Sequence, residues 1–222
     1  VMFGVGYFLQ KALFYKLIVR EKEREPVNVL LFTSGLGTAL TSLALILFGG
    51  FALQAQTAYT GKSIHLGPYI VSQTKLISFV IAIACTFALF IFLQKTETGR
   101  AMRATSQNRT VARLMGINEK KIYCLAMGIS QAMVGISAAL LISFYPVSNA
   151  VGQLFSFKSF IVVVLGGKGS IMGCLLGGLV VGVIEKLFGT LFNDAISQIT
   201  LFALFVLILL FKPSGILGKE KE

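Results

Sequence analysis

Acidic side chains are scarce in this sequence. Nine aspartates and glutamates stand among 222 residues, against twenty lysines and arginines, and there is a single histidine. The acids are Glu21, Glu23, Glu25, Glu97, Glu119, Glu185, Asp194, Glu220 and Glu222, and only Glu185 and Asp194 lie near apolar sequence. Carriers driven by protons or sodium usually place acids or histidines inside their spans, so this shortage argues against an ion-coupled carrier acting alone. Glu185 is followed by Lys186, which reads as a local, partly solvated charge pair. No Ser/His/Asp set or pair of carboxylates can be assembled within the apolar sequence, which removes the usual hydrolytic chemistries. His65 lies between apolar runs and reads as a solvated loop residue. The three cysteines, Cys85, Cys124 and Cys174, are odd in number and match no metal-ligand spacing; they read as small buried hydrophobes.

Nucleotide-binding motifs are also lacking. "TGKS" at Thr60–Ser63 resembles the end of a phosphate-binding loop, but that motif requires a first glycine separated from its second by four residues, and Gln56 stands there. "GGKGS" at Gly166–Ser170 fails the same test, so no ATPase site is recognisable. The N-terminal Val1–Leu9 is apolar without a basic region before it or a cleavage site after it, so it does not read as a signal peptide. It is too short to span a bilayer and reads as the tail of a helix.

What the chain does contain is apolar sequence in long runs. It is 55% hydrophobic and 13% charged, with a mean hydropathy of +0.83. Uncharged apolar runs of about 18 residues or more read as membrane helices. Val29–Leu53, Leu76–Leu93 and Ile122–Phe144 qualify, and Ala195–Phe211 is slightly shorter. Between the last two lies a Gly-rich apolar region, Phe160–Ile184, interrupted by Lys168. The runs do not alternate as barrel strands do. The expected class is all-α, a polytopic transmembrane helical bundle of about six membrane segments.

The net charge of +11 is distributed in a way that suits a membrane rather than nucleic acid, for which no binding motif is present. Residues 94–121 carry Lys95, Arg100, Arg103, Arg109, Arg113, Lys120 and Lys121, and residues 11–25 carry Lys11, Lys16, Arg20, Lys22 and Arg24. Residues 54–75 hold only Lys62 and Lys75, and residues 145–158 only Lys158. The positive-inside rule puts the first two loops and the tail, with Lys212, Lys219 and Lys221, in the cytoplasm, and the other two loops outside; the basic loops also meet anionic membrane lipid. With residue 145 outside and residue 212 inside, the Gly-rich region must cross twice or enter and return. The expected break is Gly166-Gly167-Lys168-Gly169-Ser170, with a short leg over Leu154–Leu165 before it, a fuller helix over Ile171–Leu187 after it, and a turn at the cytoplasmic face that keeps Lys168 wet. Gly169, Gly173 and Gly177 share one helix face, as do Gly178 and Gly182, which suits close helix packing; lining a translocation path is the alternative.

Inside the basic loop, Ser106 is expected to cap a short helix over residues 107–115, with Gly116 just past its end. Val111, Leu114 and Met115 form a small apolar face. Arg109 and Arg113, four apart, repel mildly unless an acid faces them. Asn118 is expected to cap the next helix, with Glu119 in its first turn. The short helix can lie on lipid or dock into a groove of a partner, and composition does not separate the two.

At these residues the sequence resembles a family. "TETGRAMRATSQNRTVARLMGIN", "VVLGGKGSIMG" and "KPSGILG" are similar to the permease subunits of bacterial ABC importers for branched-chain amino acids, of the LivH type, and the resemblance runs from about Tyr15 onward. In such importers a loop with Glu-Ala-Ala, three residues, then Gly seats a short helix in the ATPase subunit. Ala112 and Gly116 hold that spacing here, with Thr110 and Val111 in place of the Glu and the first Ala. Gly99, Arg100, Arg103, Ala104, Asn108, Leu114 and Ile117 match the subfamily's own version. Lys168 and Met172 depart from its Gly-rich pattern. The resemblance implies one transmembrane permease domain over residues 1–222, lacking the family's N-terminal helices, with residues 94–121 as the ATPase-coupling loop. It implies a multi-pass protein of the bacterial plasma membrane, without bound metal or cofactor. Its implied partners are ABC ATPase subunits, a second, LivM-like permease and an extracytoplasmic substrate-binding protein. A permease of the same fold for a sugar or an amide is the alternative, because nothing in the apolar spans selects leucine; no substrate-binding residue is identified.

Overall fold

A computed structural model describes residues 1–14, 27–55, 63–66, 69–149, 151–167, 169–212 and 215. They divide between two compact units, Val1–Asn149 and Ala150–Glu222. Among the described residues, the regular elements are helices apart from one small hairpin. Five of the helices are long and apolar enough to cross a membrane, and Val151–Gly166 is a shorter apolar one. The all-α, polytopic reading therefore holds, with five helices of spanning length and one shorter leg among the described residues.

In the first unit, α1 (Met2–Leu9) continues into a π-helical turn over Gln10–Phe14. α2 spans Val27–Phe48, α3 Gln73–Lys95, α4 Glu97–Gln107, α5 Arg109–Leu114 and α6 Glu119–Leu141. α1 lies against α6, and glycines make the approach possible. A Cβ on Gly128 would come within 2.9 Å of the Phe3 ring, and one on Gly6 within 2.6 Å of Gln131 Cγ. A Cβ on Gly135 would meet Met2 Cγ at 2.7 Å. Small residues at such contacts let helix backbones pack closely where lipid supplies no hydrophobic driving force.

Several boundaries differ from the apolar runs. The run ending at Leu53 leaves the helix at Phe48, because Gly49 takes the left-handed φ of +76° after donating its N–H to Leu45 O. Leu53 then exchanges backbone hydrogen bonds with Val147, and Ala55 N–H donates to Ile142 O. β1 (Ser63–Leu66) and β2 (Tyr69–Ser72) pair antiparallel, a hairpin that hydropathy could not reveal. α6 ends at Leu141, three residues short of the run's Phe144.

The second unit contains α7 (Val151–Gly166), α8 (Ile171–Leu191) and α9 (Asp194–Phe211). The expected break at 166–170 is present, with its legs longer than expected at Val151 and Leu191. Lys168 lies outside the described residues. Gly167 and Gly169 both adopt left-handed φ, +92° and +88°, which disfavours any side chain there. Ser170 caps α8, its Oγ accepting from Gly173 N–H at 3.0 Å. A Cβ on Gly166 would press on Cys174 N at 2.5 Å, one on Gly173 would meet the Gly166 carbonyl, and one on Gly177 would come within 3.0 Å of Val162 O. Gly215, from "KPSGILG", sits against the same turn; a Cβ there would reach Gly167 N at 2.5 Å. The core of this unit is Ile161, Leu165, Val181 and Leu201, all nearly fully buried. Ser197 on α9 donates to Glu185 O on α8 at 2.9 Å.

The expected Glu185–Lys186 pair is not what forms. Residues four apart or on another helix can meet, whereas adjacent residues on a helix diverge. Glu185 instead accepts from Lys158 Nζ at 2.6 Å across α7 and α8. Lys158, expected in an external loop, therefore lies half-way along α7.

Replacing Gly173 with valine forces backbone apart and should destabilise the protein by about 3 kcal/mol, at the upper end of overpacking costs. Gly152→Val, at a site with open space for a Cβ, should leave thermal stability nearly unchanged. Melting curves of the two purified variants in detergent check the contrast.

Candidate coupling site

The basic loop folds into two short helices set between α3 and α6. The first corner depends on Thr96 and Gly99. Thr96 Oγ1 donates to Phe92 O at 2.6 Å and accepts from Gly99 N–H at 3.0 Å, capping α4. A Cβ on Gly99 would stand 2.5 Å from Leu93 Cα and 2.6 Å from Phe92 O, so only glycine fits where α4 turns back on α3.

α5 is six residues long, too short to persist on local propensity alone. Its two ends are fully specified. Asn108, extended at φ −148°, accepts from Thr110 N–H and Val111 N–H at 3.0 and 3.1 Å. At the other end Gly116 is left-handed at φ +80°. Its N–H donates to Arg113 O at 3.0 Å, and Ile117 N–H donates to Ala112 O at 3.1 Å. These two bonds are a Schellman motif, which satisfies the last carbonyls of a helix. The Ala112–Gly116 spacing is thus the geometry of a helix end, with Ala112 also buried. Ser106 does not cap this helix as expected: it lies inside α4 and donates to Arg103 O at 2.8 Å. Asn108 outcompetes it because its carbonyl oxygen reaches two N–H groups at once.

The acid that the Arg109/Arg113 pair requires is Glu119. Arg109 Nε donates to Glu119 Oε2 and Arg113 Nε to Glu119 Oε1, each at 2.6 Å. The carboxylate is nearly covered, with 9% of its side chain exposed, whereas the arginines are half exposed. Such charge-assisted bonds are roughly twice as strong as neutral ones. The Arg109 guanidinium also lies over the Tyr123 ring at 5.3 Å. Asn118 caps α6 as expected, accepting from Lys121 N–H at 3.2 Å. Glu119, which the sequence marks only as a favourable first-turn acid, ties α5 to the foot of α6. Its signal is the pair of arginines at i and i+4 with one acid close downstream.

The site residues fall into two groups. Gly99, Asn108, Ala112, Gly116 and Ile117 build the corner and the helix. Arg100, Arg103 and Ala104 are exposed on α4. Leu114 is 81% and Met115 77% exposed, and together with exposed Val111 they make an apolar tip on α5. The glycines of the 166–177 break belong to the other unit.

The family described as branched-chain amino acid transport system / permease component matches residues 2–209. The chain belongs to this family. It is 38% identical over 153 residues to the high-affinity branched-chain amino acid transport system permease protein BraD of Pseudomonas aeruginosa, covering 68% of this chain and 50% of that protein. It is 35% identical over 152 residues to the corresponding permease LivH of Escherichia coli, covering 68% and 49%. The autoinducer 2 import system permease LsrD of Yersinia enterocolitica is 27% identical over 176 residues, covering 72% and 53%. The chain thus spans about half the length of the curated relatives it matches. No solved structure matches it. Family membership and the apolar helices together make this a multi-pass membrane protein.

Glu119→Gln removes the anion and leaves two guanidinium groups facing each other. Hydrogen exchange at the Ala112 and Ile117 amides should speed up by about tenfold as α5 loosens, while amides of α8 keep their protection. Equal exchange in the variant and the parent would show that the caps alone hold α5.

Proposed function

We propose that this chain is a membrane-spanning subunit of an ATP-binding-cassette importer that moves branched-chain amino acids across the bacterial plasma membrane. The observation that carries the reading is the family match over residues 2–209. The names of BraD and LivH, both above 30% identity, support the substrate class. The chain carries no ATPase of its own; ABC ATPase subunits hydrolyse ATP, a second LivM-like permease completes the membrane pathway, and an extracytoplasmic binding protein delivers the substrate. No metal or cofactor takes part.

α5 is the coupling element in this reading. Its apolar tip, Val111, Leu114 and Met115, is too exposed for a loop bathed in water and has the size of a hot-spot anchor, which gains most of its energy when buried in a partner's pocket. Arg100 and Arg103 flank it as a basic rim. ATP binding closes the ATPase subunits, the closure moves α5, and the shift favours one access state of the pathway over the other. A ligand biases such an equilibrium only through differential binding to the two states, and the α5 contact is where ATP-driven closure supplies that difference.

The likeness to LsrD favours a second reading, the same machine with another small solute as cargo. Uptake of labelled leucine, valine and candidate sugars by the complete importer in vesicles separates the two. With all partner subunits present, Leu114→Asp and Arg103→Glu should each cut leucine uptake about tenfold, the scale of a lost hot-spot contact, while the permease still reaches the membrane. Undiminished uptake in both would remove α5 from the coupling path.

The charge distribution supports an orientation with residues 94–121 and the C-terminus cytoplasmic. A cysteine at position 107 in a cysteine-free background should stay unlabelled by an impermeant maleimide on intact cells. One at position 148 should label readily. The reverse pattern would invert the topology.

A further inference from the structure

Lys158 and Glu185 pair at 2.6 Å between two apolar helices of the second unit. Their position makes the pair unusual. Lys158 is the eighth residue of the sixteen-residue α7, flanked by Phe155, Phe157 and Phe160. Glu185 lies on α8, one turn beyond buried Val181. Ionisable groups at such positions in membrane helices are costly and mark pathways for substrates or ions. An ion pair there is weak evidence for stability, because apolar residues of similar volume usually hold helices as well or better.

The pair is built and yet open. Ser197, itself 2% exposed, donates to Glu185 O at 2.9 Å and fixes the turn that carries the acid. The Lys158 ammonium lies 5.3 Å from the centre of the Phe155 ring. The two side chains nevertheless keep 24% and 36% of their surface exposed. One turn before Glu185, a Cβ placed on Gly182 would meet nothing within 4 Å, so there is room on α8 beside the acid. Leu154, one turn before Lys158, is 45% exposed and offers an apolar surface on the same face of α7.

A neutral α-amino acid has no net charge but carries a full ammonium and a full carboxylate, and neither crosses a low-dielectric region without a partner. We propose that the Lys158–Glu185 pair is a transit site for that zwitterion. The Lys158 ammonium receives the substrate carboxylate and the Glu185 carboxylate receives the substrate ammonium. The resting pair opens to admit the substrate and recloses when it leaves, so no charge is left unpaired in either state. Apolar side chains such as those of leucine and valine lie on Leu154 and the space beside Gly182. The inference rests on the import reading above and assigns residues to its substrate. A solute without both charges, such as a sugar, would gain nothing from the pair.

The test uses the assembled importer in detergent, without the binding protein, and labelled leucine as probe. Valine should displace the leucine, whereas leucinamide, which lacks the carboxylate, and 4-methylpentanoate, which lacks the ammonium, should compete about tenfold or more weakly, because each forfeits a charge-assisted contact. In vesicles with the binding protein present, the Lys158→Met/Glu185→Leu double variant should keep ATP hydrolysis and assembly and lose about tenfold or more of leucine uptake. Equal competition by the half-charged analogues, or full uptake by the double variant, would overturn the assignment and leave the import reading standing. If the double variant fails to assemble, the competition on the parent importer decides alone. A parent importer that hydrolyses ATP but neither binds nor moves leucine would overturn the import reading, and this assignment with it.

Discussion

Two guanidinium groups share one carboxylate at the foot of α6, and the seat of α5 in the 94–121 loop depends on that arrangement. α5 spans only Arg109–Leu114, and an isolated helix of that length does not survive in water. Its caps, Asn108 and Gly116, define where it begins and ends but not where it sits. Its position comes from Ala112, buried beneath it, and from Glu119, which binds Arg109 and Arg113 together. Because Glu119 is also the first residue of α6, a displacement of α5 must either pull on the first turn of a membrane helix or break charge-assisted bonds. That is the mechanical property a coupling element needs.

The second constraint is the need to turn the chain inside or beside a bilayer without orphaned backbone groups. Glycine and serine meet it at the 166–170 break. Gly167 and Gly169 take backbone conformations that other residues avoid, Ser170 caps the helix that follows, and Gly166 and Gly173 bring α7 and α8 into backbone contact. Gly215 closes on the same turn from the far end of the unit. Gly215 of "KPSGILG" and Gly167 of "VVLGGKGSIMG" therefore meet, which explains a glycine at each of these two positions.

Much of this architecture is legible in the residues alone. Apolar runs locate every long helix among the described residues, since length and hydropathy decide whether a segment can span. The break and its two legs follow from charge parity and from the glycine cluster. The helix ends are less legible. Gly49 stops α2 inside an apolar run, because hydropathy carries no information about backbone conformation. The cap of α5 passes from Ser106 to Asn108 for a reason of reach: both are good capping residues, and only the geometry of the α4–α5 corner selects between them. The ion pairs are least legible. Neighbours in sequence suggest Glu185 with Lys186, yet the partner is Lys158, twenty-seven residues away on another helix. The arginines at 109 and 113 do signal a missing acid, and Glu119 supplies it. The hairpin at 63–72 leaves no trace in hydropathy.

α5 is the proposed surface through which this chain meets an ATPase. A photo-crosslinking residue at position 114 tests it most directly, with one at position 134, an exposed residue of α6, as the control. In membranes containing the complete importer, light should join position 114 to an ATPase subunit, and the yield should change between the ATP-bound and nucleotide-free states, while position 134 yields no such product. Crosslinking of position 114 to lipid alone, in both nucleotide states, would contradict the account and return α5 to the membrane surface.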